Sequence, residues 1–174
     1  MQHPIKLDDL EFLEQNSTAM RHAGVHLPHL DQRVNLLNYM RIADHVSGNA
    51  RSNAGAPEIL DWGCGYGQMT WLLNRRGLAV TSFDIGPDNA SLPDIPLCKD
   101  LVVIRSTHAT DLPFPDNRFD AVLSCGVLEH VDECSGVPGS EIKSLREISR
   151  ILRPDGKFLI YQLPQRLAWQ EAIV

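Results

Sequence analysis

The sequence predicts an α/β fold in which a mostly parallel sheet carries helices on both faces. Short, continuous apolar runs such as LVVI, AVL and FLIY recur along residues 58–163. Runs of this kind are typical of strands buried on both sides, which occur in parallel sheets. Helical patterns separate several of these runs, and alternating strands and helices favour a parallel sheet over a sandwich or a bundle.

Two helices are predicted before the first strand, over residues 7–22 and 30–46, with Gly24 and Pro28 between them. In the second helix, one apolar stripe and its neighbour are formed by Leu30, Val34 and Leu37 and by Leu36, Met40 and Ala43. A loop of small and polar residues over 47–57 follows. We therefore expect residues 1–57 to form an N-terminal helical extension and linker, and residues 58–174 to form the core of a single domain.

The core is predicted to contain five strands, over 58–62, 79–85, 101–106, 119–125 and 157–163, and two helices, over 68–76 and 140–152. The last helix has the clearest pattern. Its apolar face is predicted from Ile142, Leu145, Ile148 and Leu152, and Pro154 and Gly156 are expected to end it. Three prolines between residues 86 and 100 argue against a long helix there.

Composition excludes several classes of protein. The chain has 174 residues, 43% of them apolar, which suits one domain. Its formal net charge of −6, with scattered Lys and Arg residues, disfavours nucleic acid as a partner. No apolar stretch reaches the length of a membrane span, and the four cysteines form no CxxC pair. We therefore expect a cytoplasmic protein with reduced thiols and no membrane association.

A glycine loop follows the first predicted strand. The strand runs through Asp61 into Gly63-Cys64-Gly65-Tyr66-Gly67 and then into a helix. Glycines in such a turn let a ligand approach the backbone closely. The dinucleotide fingerprint GxGxxG has its third glycine one residue later, where this chain has Gln68. This pattern favours a loop for S-adenosylmethionine over a loop for NAD.

An acidic residue stands at the end of the second predicted strand. Asp84 follows Gly67 by 17 residues, where a carboxylate can accept hydrogen bonds from both hydroxyls of a ribose. An exposed aspartate at the start of a loop is the alternative, and the pairing with the glycine loop makes it the weaker one.

These segments resemble the class I S-adenosylmethionine-dependent methyltransferases, in particular the broad group of ubiquinone and menaquinone biosynthesis methyltransferases. The resemblance rests on ILDWGCGYG, VTSFDI, LPFPDNRFDAVLSCGVLEHV and LREISRILRPDGKFLI, in that order. It implies a Rossmann-like fold and S-adenosyl-L-methionine as the cofactor. It also implies cofactor contacts from Asp61, Gly63, Cys64, Gly65 and Gly67 around the methionine moiety, from Asp84 to the ribose, and from Ile85, Thr107, His108 and Ala109 around the adenine.

His108 departs from the family, which often has an acidic residue at this position to accept a bond from the adenine amino group. The histidine can accept one only through its neutral ring nitrogen. Asp111 can take over this role, or it can cap the following turn.

The end of the fourth strand carries the candidate catalytic residues. Cys125 is predicted to pack beside the cofactor, and Glu129 and His130 are expected to line the methyl-transfer site. His130 can act as a general base or can have an orienting, structural role. Some relatives resemble an ExxEH metal site here, but Gly126 replaces the first acidic residue, so we expect no metal. The histidines at 22, 26 and 29 are interpreted as a solvated turn.

The predicted function is methyl transfer from S-adenosyl-L-methionine to a small molecule. A shortened, non-catalytic cofactor-binding or partner-binding paralogue is the first alternative, and a nicotinamide-dependent oxidoreductase is a minor one. The resemblance implies further antiparallel strands after the fifth strand, and this chain is expected to lack them. The fifth strand would then be an open sheet edge, which predicts a homo-oligomer.

Overall fold

The computed structural model describes residues 6–50, 55–87, 90–108 and 110–162. Three helices precede the sheet: α1 (Leu7–His22), the single-turn α2 (Pro28–Asp31) and α3 (Arg33–Asn49). The remaining helices are α4 (Gln68–Asn74), α5 (Val131–Ser135) and α6 (Ser140–Ile151). The strands are β1 (Glu58–Trp62), β2 (Ala79–Ile85), β3 (Val103–Ser106), β4 (Phe119–Cys125) and β5 (Leu152–Tyr161).

The five strands form one parallel sheet in the order β3-β2-β1-β4-β5. The chain builds outwards from β1 to β3 and then returns to the other side of β1 with β4. The strand order therefore reverses between β1 and β4. In open α/β sheets, ligands bind outside the carboxyl ends of the strands at such a switch point, so the topology places the site above the ends of β1, β2 and β4.

Alternate residues of the central strands enter two separate cores. Ile59 and Leu123 face the helices α1, α3 and α4, whereas Leu60 and Val122 face α5 and α6. All four are fully buried. This arrangement confirms the parallel sheet covered on both faces, and it explains why the strands are continuous apolar runs.

Polar contacts fix the N-terminal helices to the core. Arg76 donates from Nε to Asp44 Oδ1 at 2.6 Å and lies 3.6 Å from the fully buried Asp9. Asn16 of α1 accepts a hydrogen bond from Leu97 N at 2.7 Å. The helices ahead of β1 are therefore fixed to the end of α4 and to the segment before β3.

Most element predictions are confirmed within a few residues. The helix predicted over 30–46 is divided, because α2 ends at Asp31 and α3 begins only at Arg33. Four other boundaries also differ. The strand predicted from 101 begins at Val103, and Val102 is 80% exposed. The helix predicted over 68–76 ends at Asn74, and α3 extends beyond 46 to Asn49. The strand predicted over 157–163 begins at residue 152 through an irregularity, and residue 163 lies outside the described part.

The predicted apolar faces of two helices are partly wrong. In α6, Ile142 and Leu145 are exposed, and Ser140, Ser144, Ile148 and Ile151 are buried instead. Leu152 lies in β5. Small serines allow the helix to approach the sheet closely, so the buried stripe follows packing rather than hydrophobicity. In α3, Val34 is exposed, whereas Leu36, Met40 and Ala43 are buried as predicted.

No helix within the described ranges is long and apolar enough to cross a membrane. Among these residues there is also no group of three His, Cys, Asp or Glu side chains arranged to hold a metal ion. His22 and His26 are exposed, and the side chain of His29 is outside the described part.

Candidate functional site

The glycine loop is tied to the end of β2. Gly63 and Cys64 donate their backbone N–H groups to the carbonyl of Phe83 at 2.8 and 2.9 Å. Asp84 accepts from Gly65 N at 2.9 Å through Oδ2 and from Ile85 N at 2.8 Å through Oδ1. Each carboxylate oxygen keeps capacity for a further donor. Asp84 is thus positioned to accept hydrogen bonds from a ligand that lies on the loop.

Two loop glycines have a positive φ and a close neighbour. Gly63 has φ +77°, and a Cβ there would collide with the side chain of Val127. Gly67 has φ +85°, and a Cβ there would lie 2.5 Å from Cδ2 at the flexible end of Leu101, so the positive φ is the stronger requirement for glycine at this position. In contrast, a Cβ on Gly65 would meet no protein atom within 4 Å. The middle of the loop therefore faces open space.

A pocket of about 230 Å³ opens beside this loop. Its walls are largely apolar, and Asp84 supplies a carboxylate at one side. Apolar walls with a few polar groups are typical of small-molecule sites. The lining residues are Trp62, Gly63, Phe83, Asp84, Ile85, Gly126, Val127, His130, Val131 and Cys134.

Asp61 lies buried beneath the loop at 2% exposure. Its Oδ2 accepts a 2.7 Å hydrogen bond from the hydroxyl of Thr70, which is also 2.9 Å from the hydroxyl of Ser82. Burial raises the pKa of Asp61 to about 6, partly offset by the Thr70 hydrogen bond. Asp61 is thus ionised at neutral pH but near its titration range.

A second, more polar cluster lies over the ends of β1 and β4. The hydroxyl of the buried Tyr39 in α3 donates to Gln162 Oε1 at 3.5 Å, and the Gln68 side chain reaches the same hydroxyl. A Cβ on Gly126 would lie 3.5 Å from Gln162 Oε1 and 3.8 Å from Glu129 Oε1. We call Tyr39, Gln68, Glu129 and Gln162 the polar cluster.

The cysteines of the site are neutral thiols at physiological pH. Burial raises the pKa of Cys125 to about 12, and the nearby carboxylates of Asp61 and Glu129 add to this effect. Burial also raises the pKa of Cys64. A nucleophilic cysteine needs a lowered pKa, so these thiols serve as small packing groups.

The two candidate catalytic side chains occupy different places. His130 is exposed, borders the apolar pocket, and lies with Nδ1 3.3 Å from Glu133 Oε2. Glu129 approaches Gly126, which lines the same pocket, and its Oε2 is buried. A catalytic role for either side chain stays a prediction.

The predicted adenine segment lies apart from the apolar pocket. Thr107 and His108 are exposed and do not line it, although His108 N donates to Ser106 Oγ at 3.1 Å. Ala109 lies outside the described residues. Contacts from this segment to a cofactor stay a prediction.

Sequence reasoning missed Tyr39 and Gln162. Tyr39 belongs to a helix that precedes the core by sequence, and nothing in a helical apolar stripe separates a packing tyrosine from one that faces a site. Gln162 follows the last described strand and carries no motif. Gln68 was noted in the sequence because it stands where the dinucleotide fingerprint has its third glycine. That position was the only sequence signal for this cluster.

Comparison with known proteins agrees with this geometry. Residues 60–160 match the family described as "Methyltransferase domain". The chain is 30% identical to a fatty-acid O-methyltransferase of Mycolicibacterium smegmatis over 97% of this chain and 60% of that protein. It is 35% identical to a demethylmenaquinone methyltransferase of Tropheryma whipplei over 59% of this chain and 40% of that protein. The chain therefore spans about 40–60% of the length of these curated relatives.

Solved structures agree at the level of the fold. The PH0226 protein of Pyrococcus horikoshii aligns with a TM-score of 0.59 and 21% identity, over 81% of this chain and 59% of that one. The [4+2]-cyclase SpnF aligns with a TM-score of 0.53 and 23% identity, over 89% of this chain and 57% of that one. One is a cyclase by name, so the fold alone does not define the reaction.

Proposed function

The chain belongs to the methyltransferase domain family, a class I fold with S-adenosyl-L-methionine as its cofactor, and from this premise we propose that it transfers a methyl group to a small-molecule acceptor. One observation carries the proposal. Asp84 is held by two backbone N–H groups, one of them from the glycine loop, beside an apolar pocket. A ribose-binding carboxylate and a place for adenine are thereby joined to the loop that approaches the methionine moiety.

The residues present fit this cofactor. Apolar walls suit the adenine, Asp84 has free capacity for the ribose hydroxyls, and Gly65 leaves open space over the loop. The buried carboxylate of Asp61 adds negative charge beneath a cationic sulfonium. When bound, the cofactor supplies an electrophilic methyl carbon for in-line displacement.

The protein's own work in this reaction is to position the acceptor and exclude water. The polar cluster and the apolar pocket meet at Gly126, which lines the pocket and lies close to Gln162 and Glu129. We assign the acceptor to the polar cluster, with Glu129 in contact with it and His130 at the nucleoside pocket.

An assay with a labelled methyl group tests the proposed methyl transfer. Purified protein is incubated with methyl-labelled S-adenosylmethionine and a filtered small-molecule extract of the cells that make it. We expect label in a new extractable product with the wild type and none with Asp84→Asn. Binding of the cofactor with no transfer in any extract would favour the non-catalytic alternative.

We also propose self-association of this chain through β5. Among the described residues, β5 pairs with β4 alone, and Ile160 on β5 and Ile142 and Leu145 on α6 are exposed. A strand edge beside apolar side chains is a template for a second copy, which would give a two-fold dimer. Light scattering should show a dimer that Ile160→Lys dissociates, and a monomeric wild type would contradict the proposal.

A further inference from the structure

Two buried oxygen atoms in the polar cluster have no hydrogen-bond donor. Oε2 of Glu129 and Oε1 of Gln68 are both inaccessible to solvent, and neither finds a partner among the residues that the structure describes. Leaving a buried acceptor unsatisfied costs about 1–3 kcal/mol, and more for a charged group. Such a group in a native structure requires an explanation, and a catalytic role or a bound water, ion or ligand can supply it.

The two oxygens belong to one neighbourhood. Gln68 reaches the hydroxyl of Tyr39, and Tyr39 in turn contacts Gln162. Gln162 and Glu129 both approach the position that a Cβ of Gly126 would occupy. Four elements, α3, α4, the turn after β4 and the end of β5, therefore direct hydrogen-bonding groups towards the end of β4.

The charge in this neighbourhood is negative. The carboxylates of Asp61 and Glu129 both raise the pKa of the Cys125 thiol, so both fields reach the end of β4. Arg105 lowers the pKa of Asp84 and of Cys64, so its positive charge acts on the end of β2 and on the glycine loop. The polar cluster itself contains no Lys or Arg.

We infer that the acceptor enters the polar cluster as a hydrogen-bond donor, an alcohol or an amine, held by Glu129 and Gln68, and that a carboxylate acceptor is rejected. A carboxylate would bring a second negative charge against Glu129 and would leave both buried oxygens without donors. This inference rests on the proposed function and narrows its substrate class. This acceptor class, an alcohol or an amine, differs from the fatty acid in the name of the Mycolicibacterium smegmatis relative.

The transfer step is balanced without another reactant. With the cofactor bound, the acceptor would react as an alcohol or as a neutral amine, because an ammonium ion has no lone pair. That lone pair would form the bond to the methyl carbon, and the carbon–sulfur bond would break with its electrons left on sulfur. The proton of the alcohol, or the proton that an ammonium ion must first lose, would pass to the Glu129 carboxylate and then to water. Glu129 therefore both orients the acceptor and removes its proton.

The test compares eight-carbon probes that differ only in the head group: octylamine, octanol and octanoate. Each is titrated at pH 7.5 into the wild-type chain saturated with S-adenosylhomocysteine, with ligand-observed NMR as the readout. We expect octylamine and octanol to bind and octanoate to bind at least tenfold more weakly than octylamine. Glu129→Gln should reduce this preference at least tenfold. Glu141→Gln, which removes an exposed carboxylate on α6, should leave it unchanged.

Octanoate binding as tightly as octylamine to the wild-type complex would overturn the inference and leave the proposed function intact. This comparison needs no variant, so a folding defect in Glu129→Gln does not weaken it. Failure of the chain to bind S-adenosylhomocysteine would instead overturn the proposed function and the inference with it.

Discussion

At the scale of single residues, Asp61 links the site to the pH dependence of stability. Its pKa is raised from 3.8 to about 6 by burial, so the folded state binds this proton more tightly than the unfolded state. The contribution to stability is present below pH 4 and is lost as the pH rises through 6. The shift corresponds to roughly 3 kcal/mol.

The test is urea unfolding of Asp61→Asn and wild type between pH 4 and 7. We expect the variant to gain stability relative to wild type as the pH rises, by about 1–3 kcal/mol over this range. Asp94→Asn, at an exposed position without an ion pair among the described residues, is the control. A constant difference between Asp61→Asn and wild type would show that Asp61 titrates normally.

Substitutions at Gly63 and Gly65 distinguish the effect of backbone strain on stability from the effect of a steric clash. Both have positive φ, but only a Cβ on Gly63 would collide with Val127. We expect Gly63→Ala to lose about 1–3 kcal/mol more stability than Gly65→Ala. Val127→Ala should recover part of this difference in a double-mutant cycle measured by denaturant unfolding. Equal losses in the two glycine variants would refute the contact.

At the scale of elements, substitutions on α6 test which face of this helix is buried. Ile148 is 1% exposed and Ile142 is 53% exposed. Ile148→Ala should cost about 2–5 kcal/mol because it leaves a cavity, whereas Ile142→Ala should cost under about 1 kcal/mol. Thermal or urea unfolding of both variants checks this. A larger loss of stability in Ile142→Ala than in Ile148→Ala would mean that the face predicted from hydrophobic spacing is the buried one.

Element order and type follow from sequence because short apolar runs and glycine or proline boundaries act locally. The face of α6 does not follow, because Ser140 and Ser144 are buried only through close packing against neighbouring elements. Asp84 and the loop were predictable as a pair, since a strand end fixes their relation. Tyr39 and Gln162 meet across 123 residues, and no local pattern encodes such a contact. The functional roles of all these residues stay predictions.

At the scale of the whole molecule, two layers of helices hold the sheet, and two chemically different regions meet at Gly126 near its switch point. The apolar pocket contains Asp84, and the polar cluster contains Glu129. The helices ahead of β1 contribute Tyr39 to the polar cluster. Under the proposed function, the core would bind the cofactor, and the N-terminal helices would take part in binding the acceptor.

Calorimetric titration of the purified chain shows whether the glycine loop and Asp84 bind S-adenosylmethionine, as we propose. We expect saturable binding of S-adenosylmethionine and S-adenosylhomocysteine, no binding of NAD, and at least a tenfold loss of affinity in Asp84→Asn with the fold retained by circular dichroism. Binding of NAD in place of the sulfonium cofactor, or unchanged affinity in Asp84→Asn, would show that the loop and Asp84 do not bind S-adenosylmethionine in this way.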